Sequence, residues 1–329
     1  MTRLLNFDIA KVICIILVVI GHYNSKSFPL WYQELISWIY TFHMPLFMFA
    51  SGYIYIAFKK NENYISFLTR KLKRLMIPYF SISFIIITIK LLTEKGLYIQ
   101  NPVTTESYFK AFYQPEAGYF LWFVWSLFTI FLFIPLFKTK TSRLILFGLA
   151  LVIHYLPLEL TRIFAIHETK NMLCWFLLGV CCFDWIGYIK KAIFRNSISA
   201  FMSATTICLF VISSIFRSQS SILILLQPWL GIASVMIFST ILSKVTHGIA
   251  MNIITALSAS NYIIYLFHTT FEGFAKAFLQ KIHIGSLDGT TLFCVQATLV
   301  ILCGIICPII LHHAVLKRFK LTKFLFGLK

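Results

Sequence analysis

The stretch from Asn6 to Ser25, NFDIAKVICIILVVIGHYNS, decides the fold class of this 329-residue chain. It is mostly apolar and about as long as an α-helix needs to be to cross the hydrocarbon core of a bilayer. Two ionisable side chains interrupt the apolar pattern, Lys11 near one end and His22 near the other. The stretch therefore predicts a membrane-spanning helix that carries a polar face.

The rest of the chain has a similar composition. Hydrophobic residues make up 59% of it, against roughly 45–50% in a soluble domain, and the mean hydropathy is +0.83. We therefore predict an all-α, polytopic transmembrane helical bundle of about ten helices, with residues 1–329 forming a single integral-membrane domain. The apolar runs of near-spanning length are 9–28, 35–58, 75–93, 119–137, 143–158, 171–188, 198–216, 221–242, 251–271 and 289–315.

Basic residues are concentrated at one set of helix ends. That side holds 19 of the 29 Lys and Arg residues but only three of the 11 Asp and Glu residues. Because cytoplasmic loops are enriched in Lys and Arg, both termini are predicted to lie in the cytoplasm. The formal net charge of +18 is then a topology signal, so no nucleic acid is expected as a partner.

Lys11 and His22 are predicted to share one face of the first helix. Eleven steps of about 100° return to within about 20° of the starting direction, and the helical rise separates the two residues by about 16 Å. Asp8 lies close to the same face and is a candidate partner for Lys11. Ionisable groups in membrane helices usually face a bundle interior or a wet cavity. The alternatives are a lysine that snorkels to the headgroups and a histidine at the membrane interface.

The second predicted helix contains TFHMPLFMFASGY, from Thr41 to Tyr53. His43 is predicted to lie in its outer half, at a depth near that of His22. Ser51 and Gly52 are predicted near its cytoplasmic end. Small residues there either allow close helix packing or leave room for a ligand beside Lys11.

A basic cluster comes before the third apolar run, in TRKLKRLMIPY from Thr69 to Tyr79. Arg70 and Arg74 are one helical turn apart, and Lys71 lies beside them. Guanidinium groups bind phosphates through paired, charge-assisted hydrogen bonds, so one interpretation is a phosphate site. The other is that these residues only anchor the helix at the cytoplasmic headgroups.

Two later stretches add aromatic and histidine side chains. Trp122 lies in GYFLWFVWSLF near the predicted outer interface, where an aromatic belt is the alternative interpretation. His268 lies in SNYIIYLFHTTFEGF, near the outer end of the ninth predicted helix. His22, His43 and His268 are thus predicted at similar depth. No metal site is predicted, because the acids that would complete one are poorly placed.

Five of these strings, taken in order, carry a resemblance to a known family. The chain resembles the acyltransferase-3 family of bacterial integral membrane acyltransferases, and within it the sugar O-acetyltransferases. The family usually has Arg where this chain has Lys11, and its Arg-x-x-Arg pattern falls on Lys71 and Arg74. The matching strings are FDIAKVICIILVVIGH, FHMPLFMFASGY, RKLKRLMIPY, LWFVWSLF and IYLFH.

The resemblance implies O-acetylation of a polysaccharide at the cell envelope by an enzyme of the bacterial inner membrane. Acyl-CoA, most simply acetyl-CoA, would be the donor substrate, with no permanently bound cofactor. A hydroxyl of a surface or envelope glycan, or of its lipid-linked precursor, would be the acceptor. His22 would act as general base or transient acyl carrier. The other implied site residues are His43, His268 and Trp122 around the reacting groups and Lys11, Ser51, Gly52, Arg70, Lys71 and Arg74 on the donor.

A polytopic transporter or flippase for a glycan or lipid-linked glycan is the rival function. A bundle with internal polar residues suits it, but such proteins often show inverted repeats with broken helices, and none is visible here. A histidine-based, proton-coupled carrier is a third interpretation. Turnover of acetyl-CoA by the purified protein would separate the first function from the other two.

Overall fold

The computed structural model describes residues 4–93, 101–193, 198–216, 220–281 and 289–328. Within these ranges all regular structure is helical, as the sequence predicts. The longer helices, in chain order, are α1 (Leu5–His22), α2 (Leu30–Ala57), α3 (Tyr64–Thr93), α4 (Tyr119–Leu136), α5 (Lys140–Tyr155), α6 (Ile166–Ile193), α7 (Ile198–Ile215), α8 (Ser221–Val245), α9 (Gly248–Lys281) and α10 (Gly289–Leu316), followed by the short α11 (Lys320–Leu325).

Each of the ten predicted apolar runs coincides with one of these helices. Six of them are long and apolar enough to cross a membrane within the described ranges: α1, α3, α4, α8, α9 and α10. An all-helical architecture with six candidate membrane-spanning helices is therefore confirmed for the described residues. The count of ten spans and the cytoplasmic position of both termini stay predictions.

The helix α3 begins eleven residues before the predicted boundary at residue 75. Its first turns are rich in charged residues, so a hydropathy criterion passes over them, although the helix already starts there. The Asn63 side chain caps this start by accepting a hydrogen bond from the Ser66 backbone N–H over 2.8 Å. One turn of π-helix, Leu72–Met76, interrupts α3 between its amphipathic beginning and its apolar remainder.

The chain divides into two compact units, each assembled from separate segments. The first unit comprises Met1–Lys59, Arg143–Phe147 and Trp175–Asn261, and the second comprises Lys60–Ser142, Gly148–Cys174 and Tyr262–Lys329. The single domain predicted for residues 1–329 stays a prediction.

In the first unit, two glycines allow the backbones of α2 and α6 to pack closely. A Cβ atom built on Gly52 would lie 1.9 Å from the Phe176 carbonyl oxygen, and one on Gly179 would lie 2.0 Å from the Phe49 carbonyl oxygen. Contacts this short leave room for glycine alone, the small-residue packing that membrane helices use. In the same unit, α8 packs against α1, α2 and α7.

The second unit is organised around the contact of α4 with α3. The Tyr79 hydroxyl lies 2.9 Å from the Ala111 carbonyl oxygen and 2.8 Å from that of Gln114, which ties α3 to the loop before α4. Phe164, just before α6, has a positive φ of 53°, which is uncommon for a residue with a side chain. Its N–H donates to the Tyr113 carbonyl over 2.7 Å, which holds this turn in place.

Candidate functional site

His22 is the last residue of α1, and two tyrosines of α2 fix the helix end beside it. The Tyr40 hydroxyl donates to the Gly21 carbonyl over 2.9 Å, and the Tyr32 hydroxyl donates to the Ile20 carbonyl over 3.1 Å. Both bonds satisfy carbonyl groups that a helix end leaves without intrahelical partners. His22 itself is half-buried. The backbone that carries it is therefore held by side-chain hydrogen bonds.

His43 lies in the same unit, fully buried on α2. Its ring centroid is 5.1 Å from that of Tyr40, so Tyr40 contacts His43 with its ring and the end of α1 with its hydroxyl. The His43 Nδ1 atom lies 2.8 Å from the Ile39 carbonyl oxygen. Because a carbonyl can only accept, Nδ1 carries the proton, and in the neutral ring Nε2 presents a lone pair. A neutral His43 is thus arranged to take up a proton rather than to stabilise an oxyanion.

Lys11 is held by a small polar network between α1 and α9. Its Nζ atom lies 2.9 Å from Asp8 Oδ1, which confirms the predicted pair. The Ser258 hydroxyl donates to the same Asp8 oxygen over 2.7 Å, and the Asn261 amide donates to the Lys11 carbonyl over 2.8 Å. The Lys11 side chain keeps 27% of its surface exposed. It is therefore positioned by protein partners and still accessible.

Gly52 meets the Phe176 backbone rather than an open space. This geometry fits close helix packing, the first of the two interpretations of the small residues in α2, and corrects the idea that Gly52 leaves room for a ligand. Ser51 is half-buried. Its predicted role in substrate binding stays a prediction.

Arg70 and Arg74 line a pocket of about 510 Å³ in the second unit. Other basic lining residues come from α3 and from the C-terminal segment, namely Lys73 and Lys323. The remaining lining residues are Ile65, Ser66, Thr69, Phe324, Gly327 and Leu328. The structure thus groups four basic side chains around one cavity.

Lys71 is not among the residues that line this pocket. Its Nζ atom sits 3.4 Å from the ring centroid of Phe131 and 5.4 Å from that of Phe67, both cation–π contacts. The Lys71 ammonium thus lies against aromatic rings of α3 and α4, and the predicted grouping of Lys71 with Arg70 and Arg74 stays a prediction. Its predicted contact with donor phosphates stays untested.

His268 and Trp122 belong to the second unit. The His268 Nδ1 atom lies 2.8 Å from the Tyr265 carbonyl oxygen and 3.1 Å from that of Ile264, so the backbone again favours a proton on Nδ1. The side chain is fully buried, with its ring 5.2 Å from that of Phe120. Trp122 is half-buried beside Phe123.

Three features of these surroundings were not predicted from the sequence. Tyr40 joins the end of α1 to His43, and only its place three residues before His43 hinted at this role. Lys323 reaches the α3 pocket from a distant part of the chain, and no sequence signal connects the two. Glu168 lies 94% buried at the start of α6, where its Oε1 atom accepts a hydrogen bond from the Tyr119 hydroxyl over 2.9 Å.

Comparison with known proteins adds an independent line of information. A family model described as an acyltransferase domain matches residues 4–313. The nodulation protein NolL of Sinorhizobium fredii is 30% identical over 181 residues, which cover 52% of this chain and 47% of the relative. NolL of Mesorhizobium japonicum is 27% identical over 201 residues, 59% of this chain and 51% of the relative. The chain thus spans about half the length of these relatives. No solved structure matches.

Proposed function

Because the chain belongs to the acyltransferase-3 family, we propose that it is a membrane O-acyltransferase of the bacterial inner membrane. It takes an acyl group, most simply acetyl, from cytoplasmic acyl-CoA. It transfers the group to a hydroxyl of a surface or envelope glycan or of its lipid-linked precursor. The family match over most of the chain is the observation that carries this proposal.

The donor end of the proposed reaction rests on the basic pocket of the second unit. Arg70 and Arg74 lie one helical turn apart and both line it. Guanidinium groups suit phosphate oxygens because their planar donors form paired, charge-assisted hydrogen bonds. Coenzyme A carries several phosphates, so this pocket is where we propose that the donor nucleotide binds. Lys11 is proposed to add positive charge along the donor.

His22 is the proposed reacting side chain. In direct transfer, it takes the proton of the acceptor hydroxyl while the hydroxyl oxygen attacks the thioester carbonyl. The carbon–sulfur bond then breaks, and the thiolate of coenzyme A leaves with the proton that the imidazolium returns. In the alternative, an imidazole nitrogen attacks the thioester carbonyl, the carbon–sulfur bond breaks, and coenzyme A leaves as a thiol with the imidazole proton. The acceptor hydroxyl then takes the acyl group from the acyl-imidazole and returns its proton to the imidazole. Imidazole suits both routes because it exchanges protons near neutral pH.

We also propose that His43 and His268 take part in catalysis. In neutral form, each presents the Nε2 lone pair, because Nδ1 donates to a backbone carbonyl. Such a ring accepts protons, so we propose a role in orienting or relaying the proton. A tryptophan N–H, with Trp122 as the candidate, is then the better donor to an oxyanion.

The decisive experiment measures release of coenzyme A from acetyl-CoA by the purified protein in lipid nanodiscs. Release that depends on an added glycan or lipid-linked sugar, and on His22, supports the proposal. Translocation of a lipid-linked glycan with no consumption of acetyl-CoA would support the rival flippase instead. Mass spectrometry of surface glycans from cells with and without the protein then identifies the acetylated sugar.

A further inference from the structure

The pocket of the second unit is built on one face of α3. Its lining residues from that helix recur at intervals of three and four, as Ile65, Ser66, Thr69, Arg70, Lys73 and Arg74, the spacing that brings side chains to a common face. Ser66 and Thr69 add hydroxyl groups to the basic side chains. At about 510 Å³ the cavity falls within the usual range for ligand pockets, about 300–1,000 Å³.

The opposite wall comes from the C-terminal segment, and Gly327 fixes it in place. Gly327 has a positive φ of 62°, and a Cβ atom there would lie 3.1 Å from both Arg74 Cα and the Lys73 carbonyl oxygen. Phe326 is buried against Phe267, with ring centroids 5.2 Å apart. The first contact docks the segment against the π-helical turn of α3, and the second docks it against α9. Lys323 is thereby held across the pocket from α3.

One carboxylate, that of Glu62, forms an ion pair with a basic residue of the pocket. The Arg70 Nε atom donates to Glu62 Oε2 over 3.2 Å, and an Arg70 terminal nitrogen contacts the other oxygen of Glu62. This hydrogen bonding holds the pKa of Glu62 below its usual range. Among the described residues, no carboxylate lies within ion-pair distance of Lys73, Arg74 or Lys323. The pocket therefore has a surplus of positive charge and an internal anion on one of its arginines.

We propose that the pocket binds a ligand with two or more phosphate groups and that Lys323 is one of its contact residues. Glu62 pairs with Arg70, and a phosphate of the ligand takes its place on the guanidinium when the ligand binds. The inference rests on the proposed function, in which the ligand is the nucleotide part of the acyl-CoA donor. The phosphate of an anionic lipid headgroup has the same chemistry, so the experiment separates the two sources.

The test measures the affinity of coenzyme A for the full-length protein in nanodiscs of zwitterionic lipid, by isothermal titration calorimetry. We expect Lys323→Met to weaken binding about five- to tenfold, since a partly exposed charge-assisted contact is worth about 1–1.4 kcal/mol. Lys323→Arg should restore most of the affinity. Lys320→Met is the matched control, because it removes the same charge from the same short helix outside the pocket.

The second variant tests the internal anion. Glu62→Gln removes the charge that competes for Arg70, so coenzyme A should bind about two- to fivefold more tightly, the range of an exposed ion pair. Unchanged affinity in Glu62→Gln would overturn the competition. Unchanged affinity in a folded Lys323→Met protein would overturn the role of the C-terminal segment.

A parallel experiment uses nanodiscs that contain phosphatidylglycerol and measures how much of this lipid stays bound to the protein. Loss of coenzyme A binding in Lys323→Met supports the nucleotide as the phosphate source. Loss of lipid retention with intact coenzyme A binding overturns the nucleotide assignment. The same measurements also distinguish a failure of this binding site from a failure of the proposed function. If the variants change coenzyme A affinity as expected but the wild-type protein transfers no acyl group, the binding site stands and the proposed function falls.

Discussion

Two basic residues of the first unit, Lys11 and Arg143, have surroundings opposite to those of the basic residues around the pocket of the second unit. In the first, Lys11 pairs with Asp8, and Arg143 forms a buried pair with Asp184 at 2.7 Å. Around the pocket of the second unit, only Arg70 has an acid against it among the residues that the structure describes, while Lys73, Arg74 and Lys323 face the cavity. The packing also differs. Gly52 and Gly179 bring two helix backbones of the first unit into contact, whereas the second unit contains the basic cavity.

A charged motif residue is available to a ligand only where its surroundings do not already neutralise it. A buried charge is costly without a partner, so the ion pairs of the first unit serve the fold whatever else they do. The basic side chains of the pocket are partly solvated and need no partner, so their positive charge remains available to a ligand. The comparison therefore predicts structural effects for substitutions among the packed residues and binding effects for substitutions around the pocket.

The largest expected effect is at His22. His22→Ala should lower the rate of acyl transfer by about 10²–10⁴, the usual loss on removing a general base. Expression and acetyl-CoA binding should stay close to wild type, because the pocket that we assign to the phosphates is formed by other residues. The measurement is coenzyme A release beside acetyl-CoA affinity. His247→Ala, an exposed histidine of the same unit, is the control, and more than about a tenth of wild-type activity in His22→Ala would exclude His22 as the base.

The second-largest effect is expected on stability, at Gly52 in the closely packed first unit. Gly52→Ala forces a methyl group into the Phe176 carbonyl, so the protein should lose about 1–3 kcal/mol or more of stability. The thermal unfolding midpoint in detergent measures it. Gly148→Ala is the matched control, since that helical glycine has no neighbour within 4 Å of a built Cβ atom. An unfolding midpoint for Gly52→Ala equal to that of Gly148→Ala would mean that α2 and α6 are not in contact at this point.

Arg74→Ala tests the pocket of the second unit. It should weaken acetyl-CoA binding by about 10–100-fold, or about 1.5–3 kcal/mol for a charge-assisted contact. Because Arg74 is exposed and has no acid within ion-pair distance among the described residues, the unfolding midpoint should hardly change. Calorimetric titration with acetyl-CoA gives the affinity. Full affinity in the folded variant would remove Arg74 from the donor site.

Lys11 stands between the two cases, because it is both paired and partly exposed. Lys11→Ala should lower the transfer rate by about tenfold, or about 1.4 kcal/mol, whereas Lys11→Arg should keep substantial activity because the charge is retained. Removing Lys11 alone leaves Asp8 without its ion-pair partner, which should lower stability. The double variant Asp8→Asn with Lys11→Met removes both charges of the pair and should restore that stability. If that double variant also restores acyl transfer, Lys11 serves only to neutralise Asp8.

The smallest expected effect concerns pH and Glu62. Hydrogen bonding from Arg70 lowers the pKa of Glu62, so its ion pair is fully present above the unfolded-state pKa and is lost only as pH falls through the lower folded-state pKa. The gain in coenzyme A affinity from Glu62→Gln should therefore be the same at about pH 6 and about pH 8, both well above the usual range for a carboxylate. A gain that disappears at the lower pH would show that Glu62 titrates near neutrality.

The helices could be predicted from the sequence because bilayer-length apolar runs need no knowledge of long-range contacts. The start of α3 was missed for the same reason, since Tyr64–Lys71 is amphipathic and marked only by its Asn63 cap. The ion pair of Lys11 with Asp8 was also predictable, because three residues along a helix fix the distance between the partners.

The candidate site was predicted only where local sequence defines it. Arg70 and Arg74 are one turn apart on any helix, so their approach to one ligand follows from spacing. Lys323 lies about 250 residues later, and its place in the pocket depends on how Gly327 and Phe326 dock. For Gly52, two packing outcomes were compatible with the sequence, and only the position of Phe176 distinguishes them.

The π-helical turn Leu72–Met76 also bears on the ancestry of this chain. A helix whose two ends are already fixed by contacts accommodates one inserted residue as such a turn, and these turns are frequent at functional sites. Here residues before the turn and within it, Arg70 and Arg74 among them, line the pocket, and Tyr79 after it is fixed by its two carbonyl partners. Deleting one residue between Lys71 and Ile77 would rotate one side against the other by about 100°. A relative whose helix is uninterrupted at this place should therefore be one residue shorter there.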